Sequence, residues 1–118
     1  MIRNNPRILS EVKGETLKLA ILGEIDHHCA ATLREDLDDA ILAAMPRIID
    51  LDLATVDFMD SSGLGVIMGR KATADRIGAE FRLVNPAARI ARILDLAGLG
   101  KVVTILYRNN EEGKNNEK

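Results

Sequence analysis

The sequence predicts a mixed α/β domain: a small sheet in the order β-β-α-β-α-β-α-β, with the helices packed mainly on one face. Three observations predict it. Short apolar runs with a period of two alternate with longer runs at helical spacing. The first two strand-like runs are separated only by Lys13-Gly14-Glu15, a turn, and so pair antiparallel, whereas helices separate the later strands and make them parallel. Two of the strands also carry a polar face, which leaves the opposite face for the helices.

Residues 7–12 read as the first strand. In the second, Leu17, Leu19 and Ile21 alternate with Thr16, Lys18 and Ala20, and Gly23 ends it. The first helix carries Ala30, Leu33, Leu37, Ala40, Ile41 and Ala44 on one stripe, with Arg34, Glu35, Asp38 and Asp39 opposite, and Pro46 stops it. From Arg47 to Leu53, Ile49, Leu51 and Leu53 share one strand face and Asp50 and Asp52 the other. Two unpaired carboxylates are too costly to bury, so that second face is expected to meet water. The second helix is predicted to start near Ser61 or Ser62 and to run to about Arg76, with Gly78 as its C-terminal cap. Glu80 to Val84 alternates as a strand. Asn85-Pro86 reads as a helix start, a capping side chain followed by proline. The third helix, with Ile90, Ile93, Leu94 and Ala97 on one stripe, ends at Gly98, and Lys101 to Leu106 is the last strand. Residues 1–107 thus form one domain. Residues 108–118 are polar and lack an apolar period, and are expected to be a disordered tail.

Composition excludes several classes of function. The 118 residues carry 16 Lys and Arg against 18 Asp and Glu, a net charge of −2, so the basic excess of a nucleic-acid binder is missing. Aromatic residues are 3% of the chain (Phe58, Phe81 and Tyr107), too few for a base-stacking platform. No apolar run approaches the ~20 residues of a membrane span, and no signal peptide is visible. The lone Cys29 cannot form an internal disulfide, which fits a reducing compartment, so a cytoplasmic protein is expected.

The most informative stretch is Phe58-Met59-Asp60-Ser61-Ser62-Gly63-Leu64-Gly65-Val66, which joins the carboxylate-rich strand to the second helix. A serine there can project from the domain edge, beside free helical N–H groups that tolerate an added negative charge. Gly63 and Gly65 would let another protein's active site approach the backbone. The plainer alternative is that Ser61 or Ser62 only caps the helix and the glycines only allow tight packing. Met59 and Leu64 are candidate exposed apolar contacts, with core packing as their alternative. A second segment, Gly23-Glu24-Ile25-Asp26-His27-His28, also joins a strand to a helix. Loops that follow parallel strands collect on one sheet edge, so Asp26 and Ser61 are expected to be neighbours. A plainer role for Asp26 is helix capping, and for His28 a partly exposed surface side chain.

Enzymatic and metal readings of these segments are weak. His27, His28 and Cys29 are zinc-ligand types, but adjacent side chains diverge and no second ligand pair follows. A serine hydrolase elbow needs glycine two residues before the serine, where Met59 stands. Gly63, Gly65 and Gly69 make an incomplete nucleotide fingerprint.

The two segments together resemble the STAS family, and within it the anti-sigma factor antagonists of the sporulation (forespore) type. The resemblance covers about residues 7–106. Asn85-Pro86 and Leu96-Ala97-Gly98-Leu99 sit where that family has a Ser-Pro turn and a Met-Ser-Gly-Leu helix end. Lys71 departs from the family's usual aromatic residue, Asn85 departs from its serine, and its final amphipathic helix is not visible here.

The resemblance implies a phosphorylation switch at Ser61. A partner anti-sigma factor, itself a serine kinase, would bind the unphosphorylated chain and so free a sigma factor. Phosphorylation would release the chain, and a metal-dependent serine phosphatase would reset it. ATP would come through the kinase, and the chain would need no cofactor or metal of its own and no catalytic residues. Asp26, Asp60, Ser62, Gly63, Leu64, Glu24 and His28 would face the partner and its nucleotide. Nucleic acid and membrane are not expected partners. Alternatives are an interaction module of a stress-signalling, transporter or lipid-handling complex, and a small hydrolase.

Overall fold

The computed structural model describes residues 7–108. Strands β1 (Ile8–Lys13) and β2 (Thr16–Ile21) form the antiparallel hairpin, with Ile8 opposite Ile21 and Lys13 opposite Thr16. Then follow β3 (Glu24–Ile25), helix α1 (Ala30–Ala44), β4 (Ile48–Asp52), β5 (Phe58–Met59), α2 (Ser61–Ile77), β6 (Glu80–Val84), α3 (Ala88–Leu96), a 3-10 turn (Leu99–Lys101) and β7 (Thr104–Leu106). The main sheet has the order β1-β2-β4-β6-β7, parallel except for β1.

That order explains the one-sided packing. Each crossover moves one strand further in the same direction. Right-handed crossovers that all advance the same way deliver all three helices to one face. Leu17, Ile49 and Phe81 form one row across that face, and Leu19, Leu51, Leu83 and Ile105 the next. Leu33, Leu37 and Ile41 of α1, Val66 and Ile67 of α2, and Ile90 and Leu94 of α3 close the core over them. Between α1 and α2 lies a polar tie: the Nε of buried Arg70 is 2.9 Å from Asp38 Oδ1, and Thr73 Oγ1 donates to the same oxygen at 3.0 Å.

On the opposite face Glu11, Lys18, Asp50, Arg82 and Thr104 stand in register across the five strands. The sequence placed Asp50 in water, and here the structure corrects it: Asp50 is buried, at 4% exposure. Its carboxylate accepts from Arg82 Nε at 2.6 Å and Nη2 at 3.0 Å, and from Arg108 Nη1 at 3.2 Å. Two guanidinium groups replace the water, which removes the penalty for an unpaired charge. Burial pushes the Asp50 carboxyl up, but the Arg82 hydrogen bonds and the charges of Arg82 and Arg108 outweigh it and hold it below the ordinary carboxylate value. The stability that Asp50 contributes is therefore present above about pH 4 and lost as pH falls through its lowered folded-state value. Acid unfolding followed by circular dichroism is expected to be steeper below about pH 4 in the wild type than in Asp50→Asn. Equal slopes would show that the cluster contributes nothing.

Further corrections concern the last third of the chain. Asn85 does not cap α3, whose N-cap position is Ala87, with no side-chain cap. Asn85 takes a left-handed conformation (φ 55°), and its Oδ1 accepts from the Arg108 N–H at 2.6 Å. The competing partner comes from the end of the chain, which local sequence cannot show. The last strand is shorter than expected because Leu99 and Val103, both 6% exposed, anchor a 3-10 turn before it. Arg108, assigned to the tail by sequence, is tied to the domain through Asn85 and Asp50. The rest of the expected tail lies outside the described residues.

Candidate functional site

The short strands β3 and β5, not anticipated from the sequence, build the site. They form a separate two-stranded parallel sheet, with Glu24 opposite Phe58 and Ile25 opposite Met59. Two residues are too few to show a period, but the pairing fixes which side chains turn inward. Ile25 and Met59 are buried at 0% and 4% exposure, while Glu24 and Phe58 face out. Met59 is therefore a core residue and not an exposed contact. Phe58, 44% exposed, is the apolar side chain presented beside the site, and Leu64 is half-buried against the core.

This pairing brings together the two segments that the sequence expected to meet. The Asp60 N–H donates to Ile25 O at 3.2 Å. One Asp60 carboxylate oxygen, Oδ1, accepts from the Ser62 N–H at 2.8 Å and caps α2. The other, Oδ2, accepts from the His27 N–H at 3.2 Å. The helix cap is thus Asp60, and neither serine serves as one. Ser61 is the first residue of α2 and is exposed, and no described residue hydrogen-bonds to its hydroxyl. Ser62 is half-buried.

Gly63 is not open to a partner on its side-chain side. A Cβ there would stand 2.0 Å from Met59 Cγ and 2.7 Å from its Sδ, so glycine is what lets α2 settle onto Met59. Gly65 is exposed, and a Cβ there would meet nothing.

Asp26 organises the turn before α1. Its Oδ1 accepts from the Cys29 N–H at 3.1 Å, and its carbonyl from the Ala30 N–H at 3.1 Å. The Cys29 amide holds the Asp26 carboxyl below the usual carboxylate value. Partial burial opposes this, and the Cys29 thiol and the His28 charge add to the lowering. Asp26 does not cap α1 as expected: the N-cap position is Cys29, without a side-chain cap, and the Asp26 carboxylate instead closes the turn that precedes the helix. His27 and His28 are both exposed, with ring centroids 5.9 Å apart. Among the described residues no three His, Cys, Asp or Glu side chains are grouped to hold a metal ion.

Two supporting residues escaped the sequence. The Arg7 guanidinium donates to the carbonyls of Leu22 (2.9 Å, from Nε) and Glu24, across Gly23. Thr55 Oγ1 donates to Ile21 O at 2.9 Å. Both tie the loops to the end of β2. Only Gly23, at φ 85°, gave a local signal of a sharp bend there.

Residues 7–113 match the model of the STAS domain. The chain belongs to the STAS family. It is 37% identical over 101 residues to an anti-sigma F factor antagonist of Paenibacillus polymyxa, covering 86% of each chain. It is 35% identical over 89 residues to the anti-sigma-B factor antagonist of Bacillus subtilis, covering 75% of this chain and 80% of the relative. A solved structure of the anti-sigma factor antagonist SpoIIAA in its unphosphorylated form superposes with a TM-score of 0.74 at 28% identity, over 89% of this chain and 90% of that one. The phosphorylated form of the Bacillus cell fate determinant SpoIIAA gives 0.68 at 28% identity, over 89% and 94%. This STAS domain has the mixed sheet and one-sided helices read from its sequence. Among the described residues, no helix is long and apolar enough to cross a membrane.

Proposed function

We propose that this STAS domain is an anti-sigma factor antagonist, a binding protein and not an enzyme, whose affinity for its partner is set by phosphorylation of Ser61. The observation that carries the reading is the position of Ser61: exposed, its hydroxyl unbonded among the described residues, at the N-terminus of a helix whose cap is supplied by its neighbour Asp60. A phosphoryl group there adds about −1.5 to −2 charge at neutral pH without requiring the domain to unfold. The names of the relatives, and the existence of SpoIIAA in two phosphorylation states, support it.

In this reading the partner anti-sigma factor is the serine kinase and supplies ATP, metal and base. The Ser61 oxygen bonds to the γ-phosphorus, the bond from that phosphorus to ADP breaks, and the hydroxyl proton passes to the kinase's base. A metal-dependent serine phosphatase returns the hydroxyl by hydrolysis. The unphosphorylated chain sequesters the anti-sigma factor and frees a sigma factor, in the cytoplasm and in a sporulation programme. Glu24, Asp26, Phe58 and Leu64 contribute to the partner-facing surface.

Incubation with the cognate anti-sigma factor and ATP is expected to add the mass of one phosphoryl group, placed on Ser61 by peptide fragmentation. Ser61→Ala should remain unlabelled and Ser62→Ala should label normally. Phosphate on Ser62, or none at all, would overturn the proposal.

A further inference from the structure

We infer that Asp60 is a positioning residue that couples the two loops of the site, so that charge at Ser61 is felt at the turn carrying Asp26 and His28. The inference rests on Ser61 being the phosphorylated residue. Its physical basis is the division of one carboxylate between two segments. Oδ1 holds the first turn of α2 through the Ser62 amide, and Oδ2 holds the amide of His27, 33 residues away in sequence. Ser61 lies directly between Asp60 and Ser62. An anionic group on its oxygen repels the Asp60 carboxylate and competes for the same N–H groups at the helix start. The 2.8 Å bond to Ser62 is short and partly buried, whereas the 3.2 Å bond to His27 is exposed. The longer, exposed bond is the one to yield. The turn beyond it is closed internally by Asp26 Oδ1 and Cys29, so it shifts as a unit when His27 is released. A partner that touches both loops would then lose contact at the second as well as the first.

The competing possibility is that Asp60 merely caps α2. Asparagine separates the two roles, because its single amide oxygen still caps a helix well but cannot serve both amides. The experiment is amide hydrogen exchange by NMR on the isolated chain, using Ser61→Glu as the charge probe, in both the Asp60 and the Asp60→Asn backgrounds. Thermal melting serves as a control for folding. Ser61→Glu is expected to speed exchange at His27 by about fivefold or more, the loss of one ordinary hydrogen bond. Asp60→Asn should speed it by itself without lowering the melting temperature appreciably, and Ser61→Glu should add nothing further. Unchanged exchange at His27 in Ser61→Glu, or an equal response in both backgrounds, would overturn the coupling. Failure of the kinase to label Ser61 would overturn the proposed function while leaving these exchange rates as they are.

Discussion

Ser61→Glu is expected to weaken binding to the cognate anti-sigma factor by roughly 2–5 kcal/mol, about 30-fold to several-thousand-fold in Kd. Ser61→Ala should bind within a few-fold of wild type. The reason is local charge. Ser61 is exposed at an edge that already carries Glu24, Asp26, Asp57 and Asp60. The Asp60 oxygens are committed to Ser62 and His27, and the Asp26 carboxyl is held below its ordinary value and so stays ionised. A further negative charge brought into an interface there must be desolvated among acidic groups. Folding is affected differently. The first turn of a helix favours an anion by about 0.3–1 kcal/mol, which offsets the loosened His27 bond, so the melting temperature should hold. Isothermal titration calorimetry and thermal melting together test this. Wild-type affinity in Ser61→Glu, or an affinity loss matched by a loss of stability, would sink it.

Asp38→Ala is expected to cost about 2–4 kcal/mol of stability. That is somewhat below the range for breaking a fully buried pair, because a third of the Asp38 side chain is exposed. Arg70 is the reason for so large an effect. Its side chain is 6% exposed against 31% for Asp38, so removing the carboxylate leaves a guanidinium buried between α1 and α2. Burial already pushes that guanidinium down, Asp38 opposes the shift, and the charges of Arg34 and Arg76 lower it further. Thr73 would also lose its acceptor on Asp38. Asp38→Leu combined with Arg70→Met removes both charges and should recover most of the loss. Urea denaturation of the single and double variants separates the cases. A double variant no more stable than Asp38→Ala would show that the pair contributes packing that apolar side chains cannot replace.

Legibility followed the range of the forces involved. Leu17, Leu19, Ile49, Leu51, Phe81 and Leu83 announced their strands because the period of two is local, and the helical stripes did so for the same reason. Gly78 ended α2 as expected. The strands β3 and β5 gave no such signal: each is two residues long and exists only because Ile25 and Met59 meet in the core. Asn85 carried a local helix-start signal that was overruled by Arg108, a partner 23 residues away. Asp50 looked solvent-bound because Arg82 and Arg108 reach it only once the strands align.

The same division holds at the site. The sequence by itself determined the fold class, the family likeness, the place of Ser61 at a helix start and the convergence of its loop with that of Asp26. All of these follow from local periodicity, motif spacing and the geometry of parallel strands. Only the tertiary structure decided that Asp60 and not a serine caps α2, that Met59 and Gly63 face inward, and that Phe58 faces out. Met59 turns inward because it pairs with Ile25, and Asp60 is also held by His27, each across more than 30 residues, and no local preference encodes such partners.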